Sequence, residues 1–153
     1  MNTNKEHGLV GQNGAGKSTL GKIIGGHYKL SSGNIFLNDN LIKKWSSKIA
    51  LDNGIAMIHQ ELALVPGMTV YDNIFLGIEE NYYGIIGKQN TKLFNDLDQK
   101  IGFNLDPNKK VSNLRIADQQ KVEIIRALAR NAKVIIMDEP TSSLDIKTQK
   151  ILF

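Results

Sequence analysis

Two rhythms of apolar residues divide this chain. Short apolar runs bounded by turn residues read as strands: HGLV at 7–10, NIFLN at 34–38, GIAMI at 54–58 and VIIM at 134–137. Longer stretches carry apolar residues at helical spacing, from Val70 to Gly77 and from Thr91 to Ile101, so the middle of the chain is expected to be mostly helical. In ADQQKVEIIRALARNA the same spacing predicts a helix over 117–132, with Val122, Ile125 and Leu128 sharing one face with Ala129. Another helix is expected to begin at Thr19 and Leu20, within GKSTLGKIIGG. HGLV reads as the end of a buried strand, NIFLN as a hairpin strand placed after the turn Ser31–Ser32–Gly33, and VIIM as a central parallel strand covered on both faces. Strands feeding helices in this order predict an α/β fold around a parallel central sheet.

The polar residues concentrate chemistry at two of these strand ends. After the first comes GQNGAGKST, residues 11–19, which matches the phosphate-binding pattern of a glycine, four residues and then Gly-Lys-Ser. Gly11, Gly14 and Gly16 let backbone N–H groups turn inward around an anion, and Gln12, Asn13 and Ala15 complete the loop. Lys17 brings a point charge to the β and γ phosphates of a nucleoside triphosphate, and the Ser18 hydroxyl is placed to ligate Mg²⁺. Thr19 leads into a helix whose N-terminal dipole end faces the anion. After VIIM comes Asp138-Glu139-Pro140, and a carboxylate at the C-terminal end of a parallel strand stands where open α/β sheets bind ligands. Asp138 is expected to hold Mg²⁺ through a bound water, and Glu139 to polarise the water that attacks the γ-phosphate. Pro140 lacks the N–H that would continue the ladder, and helps end the strand.

Composition narrows the class. A chain of 153 residues, 41% of them hydrophobic, can bury one core and reads as one domain. The net charge is +4, and lysines such as Lys43, Lys44 and Lys48, or Lys109 and Lys110, form small groups without interleaved aromatics. That pattern is a solvated face, not a nucleic-acid patch. No apolar run reaches the length of a membrane span, and the polar start MNTNKEHG has no signal-peptide core, so a soluble chain able to dock on a membrane protein is expected. Without cysteine there is neither a disulfide nor a thiolate metal site. His27 and His59 read as incidental, and Trp45, which follows the phosphate loop, as packing or surface.

Three further segments carry a resemblance. GIAMIHQELALVPGMTVYDNIFLG at 54–77 resembles the Q-loop region of ATP-binding cassette (ABC) ATPases, with Gln60 lying 43 residues after Lys17. IHQEL followed by TVYDNIFLG is similar to the first ATPase half of bacterial importers for ribose, galactose, xylose and related monosaccharides. LRIADQQKVEIIRAL at 114–128 occupies the family's signature position, 24 residues before Asp138, and SSLD at 142–145 matches its D-loop.

The resemblance implies a P-loop NTPase fold with a helical subdomain inserted into it. Residues 1–153 would be one incomplete ATP-binding domain, truncated at both ends, with 1–61 and 133–153 as nucleotide-binding core and 62–132 as helical subdomain. ATP and Mg²⁺ are the implied ligands. Lys17, Gln60 and Glu139 form the implied catalytic set; Ser18, Gln60 and Asp138 hold the metal. Such ATPases pair head to tail, so the signature residues Leu114, Arg115, Ile116, Ala117, Asp118 and Gln119 would face the ATP of a partner half, and Ser143, Leu144 and Asp145 would form the D-loop. Residues 62–80, including Met68 and Tyr71, would meet a transmembrane permease at the cytoplasmic face of the membrane, whereas Phe75 reads as internal packing. A periplasmic sugar-binding protein is an indirect partner, and no nucleic acid is expected. The implied function is ATP hydrolysis driving monosaccharide import; the alternative is a truncated or switch-like module that binds nucleotide without turning it over.

The chain departs from the family pattern in three places. Arg115 stands where the signature has serine, replacing a hydroxyl donor by a long cation that either crowds the partner site or acts as an arginine finger. Relatives place the adenine-stacking aromatic ahead of the phosphate loop, whereas the first aromatic here is Tyr28. The chain also stops at Phe153, ahead of the histidine loop. A fragment of a longer gene product is therefore expected, weakly stable alone because a sheet edge and core surface would lie uncovered.

Overall fold

The computed structural model describes residues 7–12, 14–78, 81–82, 85–86 and 90–138. Helix α1 (Lys17–Ile24) follows the glycine loop directly, starting before the expected Thr19 because Gly16, at φ 84°, takes the N-cap position and releases the chain into the helix at once. Lys17 and Ser18 therefore sit in its first turn. Strands β1 (Ile35–Leu37) and β2 (Asn40–Ile42) form an antiparallel hairpin with Ile35 opposite Ile42 and Leu37 opposite Asn40. The hairpin partner thus follows the first strand, across Asn38–Asp39, and the pairing expected across Ser31–Ser32–Gly33 is not formed. Asn38 and Asp39 have φ 48° and 64°, the left-handed pair that a tight two-residue turn favours and that short polar side chains tolerate.

Helix α2 (Ser47–Asp52) is capped by Ser46, whose Oγ accepts the Ile49 N–H at 3.3 Å, and strand β3 (Ile55–Ile58) follows. Helix α3 (Val70–Phe75) begins at a reciprocal cap: the Thr69 Oγ1 accepts the Asp72 N–H at 3.1 Å and donates to Asp72 Oδ2 at 2.7 Å. Asn73, 0% exposed, accepts the Val65 N–H at 2.7 Å and donates to the Val65 and Thr69 carbonyls, both at 3.0 Å, so it pins the loop before α3. A short backbone hairpin, β4 (Asn81–Tyr82) with β5 (Ile85–Ile86), precedes helix α4 (Thr91–Ile101), whose bounds are those expected and whose end is Gly102 at φ 73°. A single 3₁₀ turn at Val111–Asn113 leads into helix α5 (Ile116–Ala129). That helix stops short of the expected residue 132, as Asn131 turns left-handed at φ 59°. Strand β6 (Val134–Met137) then lies parallel to β3, in register from Ile55 beside Val134 to Ile58 beside Met137.

The core forms where α3, α4 and α5 pack over the end of β3. Val70, Ile74, Phe75, Phe94, Ile101, Val122, Ile124, Ile125 and Ala129 are buried together with Ile58, and Leu128 flanks them half-buried. The buried stripe of α5 is thus wider than the expected face, reaching Ile124 and Ala127. Two strand expectations need correction. β6 is only half-buried, with Val134 49% exposed, because among the described residues β3 alone pairs with it. Residues 7–10 form no strand, and Val10 is 98% exposed: an apolar run becomes a strand only where a neighbour supplies the ladder of hydrogen bonds, and none of the described strands does. Among the described residues no helix is long and apolar enough to cross a membrane.

Candidate functional site

The glycine loop takes its shape from backbone conformation, not from crowding. Gly14 and Gly16 sit at φ 85° and 84°, yet a Cβ on either would meet nothing within 4 Å, so the space beside their N–H groups is open. The Ala15 N–H donates to the Gln12 carbonyl at 3.1 Å and closes the turn. Lys17 folds back over it: its Nζ donates to the Gly11 carbonyl at 2.6 Å and the Gln12 carbonyl at 2.9 Å, which holds the ammonium at the mouth of the loop. α1 rests directly on the sheet through Gly21, where a Cβ would lie 3.4 Å from Ile136 Cγ2, and this close seat sets the height of the loop over the strand ends.

Those strand ends supply the acid. Asp138 extends the β3–β6 ladder, its N–H donating to the Ile58 carbonyl at 3.3 Å. The Ser18 Oγ donates to Asp138 Oδ1 at 2.8 Å, so a residue of the first turn of α1 meets one 120 positions later. Gln60 lies exposed just beyond β3, at the same edge of the sheet as Asp138. These residues fit a Mg²⁺ ion. A hydroxyl and a carboxylate oxygen stand side by side on two regular elements, and Mg²⁺ takes few protein oxygens when phosphates complete its shell. Among the described residues no three His, Asp or Glu side chains gather into a protein-only metal cage.

The other candidate residues are placed as follows. Gly11, Gln12, Gly14, Ala15, Gly16 and Thr19 line the loop and the start of α1, whereas Asn13, Glu139, Ser143, Leu144 and Asp145 lie outside the described residues. In the 114–119 segment, Leu114 packs against the core, Arg115 is the exposed N-cap of α5, and Ile116 is 66% exposed. Ala117 is half-buried; Asp118 pairs with Lys121 at 3.0 Å, its charge favourable at a helix N-terminus. The Gln119 amide donates to the Leu114 and Val111 carbonyls at 3.1 and 3.3 Å and so ties the preceding turn to the helix. Among the described residues no hydrogen bond or ion pair joins 114–119 to the glycine loop.

In the 62–80 segment, Phe75 is 2% exposed and belongs to the core, as its reading as packing requires. Tyr71 is half-buried, its ring 4.7 Å from that of Phe75 and its hydroxyl accepting the Asn90 N–H at 3.2 Å, so much of it also serves packing. The two histidines are partners: the rings of His27 and His59 meet edge to face at 4.6 Å. Burial pushes the His27 imidazole below its ordinary pKa, and the charges of His59 and Lys22 add to that. Trp45 does more than fill space, since its indole N–H donates to the Ile23 and Ile24 carbonyls at 2.9 and 3.1 Å and satisfies the end of α1. Nothing in the local sequence announces that contact across more than twenty residues.

Arg115 offers α5 no side-chain cap, and its positive charge opposes the helix dipole there. Arg115→Ser is expected to raise stability by about 1 kcal/mol, seen as a higher denaturation midpoint. An unchanged midpoint would show that the N-terminal N–H groups of α5 gain nothing from a hydroxyl.

Comparison with known proteins agrees with this geometry. Residues 1–142 match the family described as ABC transporter. The arabinose import ATP-binding protein AraG of Paraburkholderia xenovorans is 46% identical over 154 residues, an overlap of 100% of this chain and 30% of that protein. The ribose import ATP-binding protein RbsA of Clostridium perfringens is 43% identical over 148 residues, covering 94% of this chain and 29% of that protein. The chain thus spans about 30% of the length of these curated relatives. A solved nucleotide-free ATP-binding cassette from an ABC transporter superposes with a TM-score of 0.72 at 25% identity, over 92% of this chain and 60% of that one.

Proposed function

The chain belongs to the ABC transporter family, and from that premise we propose that it binds ATP with Mg²⁺ as part of a subunit whose ATP hydrolysis drives import of a monosaccharide. The observation that carries the reading is the Ser18–Asp138 hydrogen bond, which unites the glycine loop and the acid of the strand end in one oxygen-lined site. The names of the relatives, arabinose and ribose import ATP-binding proteins, support the sugar class. Recognition of the sugar itself belongs to other subunits.

In this reading the loop Gly11–Thr19 encloses the phosphates and Lys17 neutralises their charge. Ser18, Asp138 and Gln60 hold Mg²⁺, which when bound screens the charge on the phosphate oxygens. Glu139 takes the proton of the attacking water and Gln60 orients it. Leu114 to Gln119 and the D-loop residues Ser143 to Asp145 serve a second ATPase half arranged head to tail. Residues 1–61 and 133–153 act as nucleotide-binding core and 62–132 as helical subdomain, with 62–80 facing a permease at the cytoplasmic side of the membrane and a periplasmic sugar-binding protein acting through it.

Titration of the chain with a fluorescent ATP analogue tests the reading. Saturable binding is expected, roughly tenfold tighter with Mg²⁺ than with a chelator, equivalent to about 1.4 kcal/mol. Binding indifferent to Mg²⁺, or no saturable binding, would overturn it.

A further inference from the structure

We infer that Arg126, paired with Glu123, is a positioning residue: it clamps the Ala63 carbonyl and so holds the segment after Gln60 to α5, the helix that follows directly from Leu114 and Arg115. Beyond Gln60 the chain runs through Glu61, Leu62, Ala63 and Leu64 without helix or strand, so its placement depends on side chains. Arg126 Nη1 donates to the Ala63 carbonyl at 2.8 Å. Glu123 Oε1 lies 3.6 Å from the same nitrogen, an ion pair that flanks the bond to Ala63. The carbonyl of one loop residue is thus held by an arginine that is itself paired with a carboxylate one helical turn earlier. A second tie runs the same way: Arg130 Nη2 donates to the Leu76 carbonyl at the end of α3. Residues 123, 126 and 130 therefore grip both ends of the stretch that leaves the Gln60 edge and returns through α3.

This grip is costly to build, which argues for a purpose beyond packing. Glu123 is 9% exposed in a stretch of α5 where Val122, Ile124 and Ile125 are all buried, and an apolar residue of similar size would serve the core at least as well. Burial pushes the Glu123 carboxyl above its ordinary pKa; Arg126 opposes this most, followed by the Ala63 backbone, Arg130 and His59. The groups that face it converge from α5 and from the end of β3, the two elements that the clamp joins.

The inference rests on the proposed role of Gln60, and two measurements keep the two apart. In the 153-residue chain without nucleotide, Arg126→Ala is expected to speed amide hydrogen exchange at 60–64 by roughly tenfold or more, as loss of a charge-assisted hydrogen bond would, while amides of the β1–β2 hairpin stay unchanged. Arg126→Lys, which keeps a charged donor, should restore much of the protection. In the ATPase assembled with its partner half and permease, Arg126→Ala should lower kcat roughly ten- to a hundredfold with KM for ATP within about twofold, since a displaced Gln60 would misplace water without touching the phosphate loop. Unchanged exchange at 60–64, no restoration by lysine, or a rise in KM matching the fall in kcat would each overturn the clamp. An unaltered assembly that fails to hydrolyse ATP would count against the proposed function, and the exchange measurement would still decide the clamp.

Discussion

Lys17→Ala is expected to weaken ATP binding roughly 10- to 150-fold. The estimate follows from the charge-assisted hydrogen bonds an ammonium makes to phosphate, worth about 1.5–3 kcal/mol net, at 1.4 kcal/mol per factor of ten. The structure holds that ammonium at the loop mouth, 2.6 and 2.9 Å from the Gly11 and Gln12 carbonyls. The same contacts mean that truncation also removes two ties within the loop, so a shape effect must be separated from a charge effect. Lys17→Met does this, keeping the aliphatic stem in the first turn of α1 and deleting the charge. Both variants should lose affinity to a similar degree while their melting temperatures stay within about 5 °C of the parent, because surface polar contacts contribute little to global stability. Affinity retained within about twofold in Lys17→Met would remove the lysine from the phosphate site.

Glu139→Gln is expected to leave ATP affinity nearly unchanged and to cut hydrolysis by the assembled ATPase roughly two to four orders of magnitude, the usual contribution of a positioned general base. Two observations lead to this residue although it lies outside the described residues. Asp138 is engaged by the Ser18 hydroxyl at 2.8 Å, which supports the metal-holding role proposed for it and leaves the next carboxylate in the sequence as the proposed base. The parallel register places Ile58 beside Met137, so Gln60 and Asp138 leave one edge of the sheet, and Glu139 is the next acid in the sequence. Glutamine preserves size and hydrogen bonding and removes only the proton acceptor. A module that binds nucleotide as a switch without hydrolysing it would show no change, so the same variant separates the two functional readings.

Local order was largely legible in the chain because it depends on spacing and on a few special residues. Helical periodicity placed α4 at Thr91–Ile101, and the apolar runs at 54–58 and 134–137 became β3 and β6 in parallel. The errors have physical causes. α1 starts earlier than periodicity suggests because Gly16 serves as its N-cap, a role set by φ that apolar spacing does not encode. The β1–β2 turn carries no local signal because Asn38-Asp39 lacks the glycine that marks most such turns, although both residues accept positive φ. Residues 7–10 and β6 read as buried strands from their apolar runs, but burial of a strand depends on its neighbours, which no local window contains.

The order of motifs along the chain suffices for the family, the ligand class and the α/β architecture, because a glycine loop, an apolar strand ending in acids and the segments around Gln60 and Leu114 are each recognisable within a few residues. Contacts between distant segments belong to the packed fold. The meeting of Ser18 with Asp138, the Trp45 indole on the end of α1 and the grip of Arg126 on Ala63 join residues between about 20 and 120 positions apart. Each depends on how helices settle on the sheet, so each exists only once the apolar faces of α1, α3 and α5 have found their places.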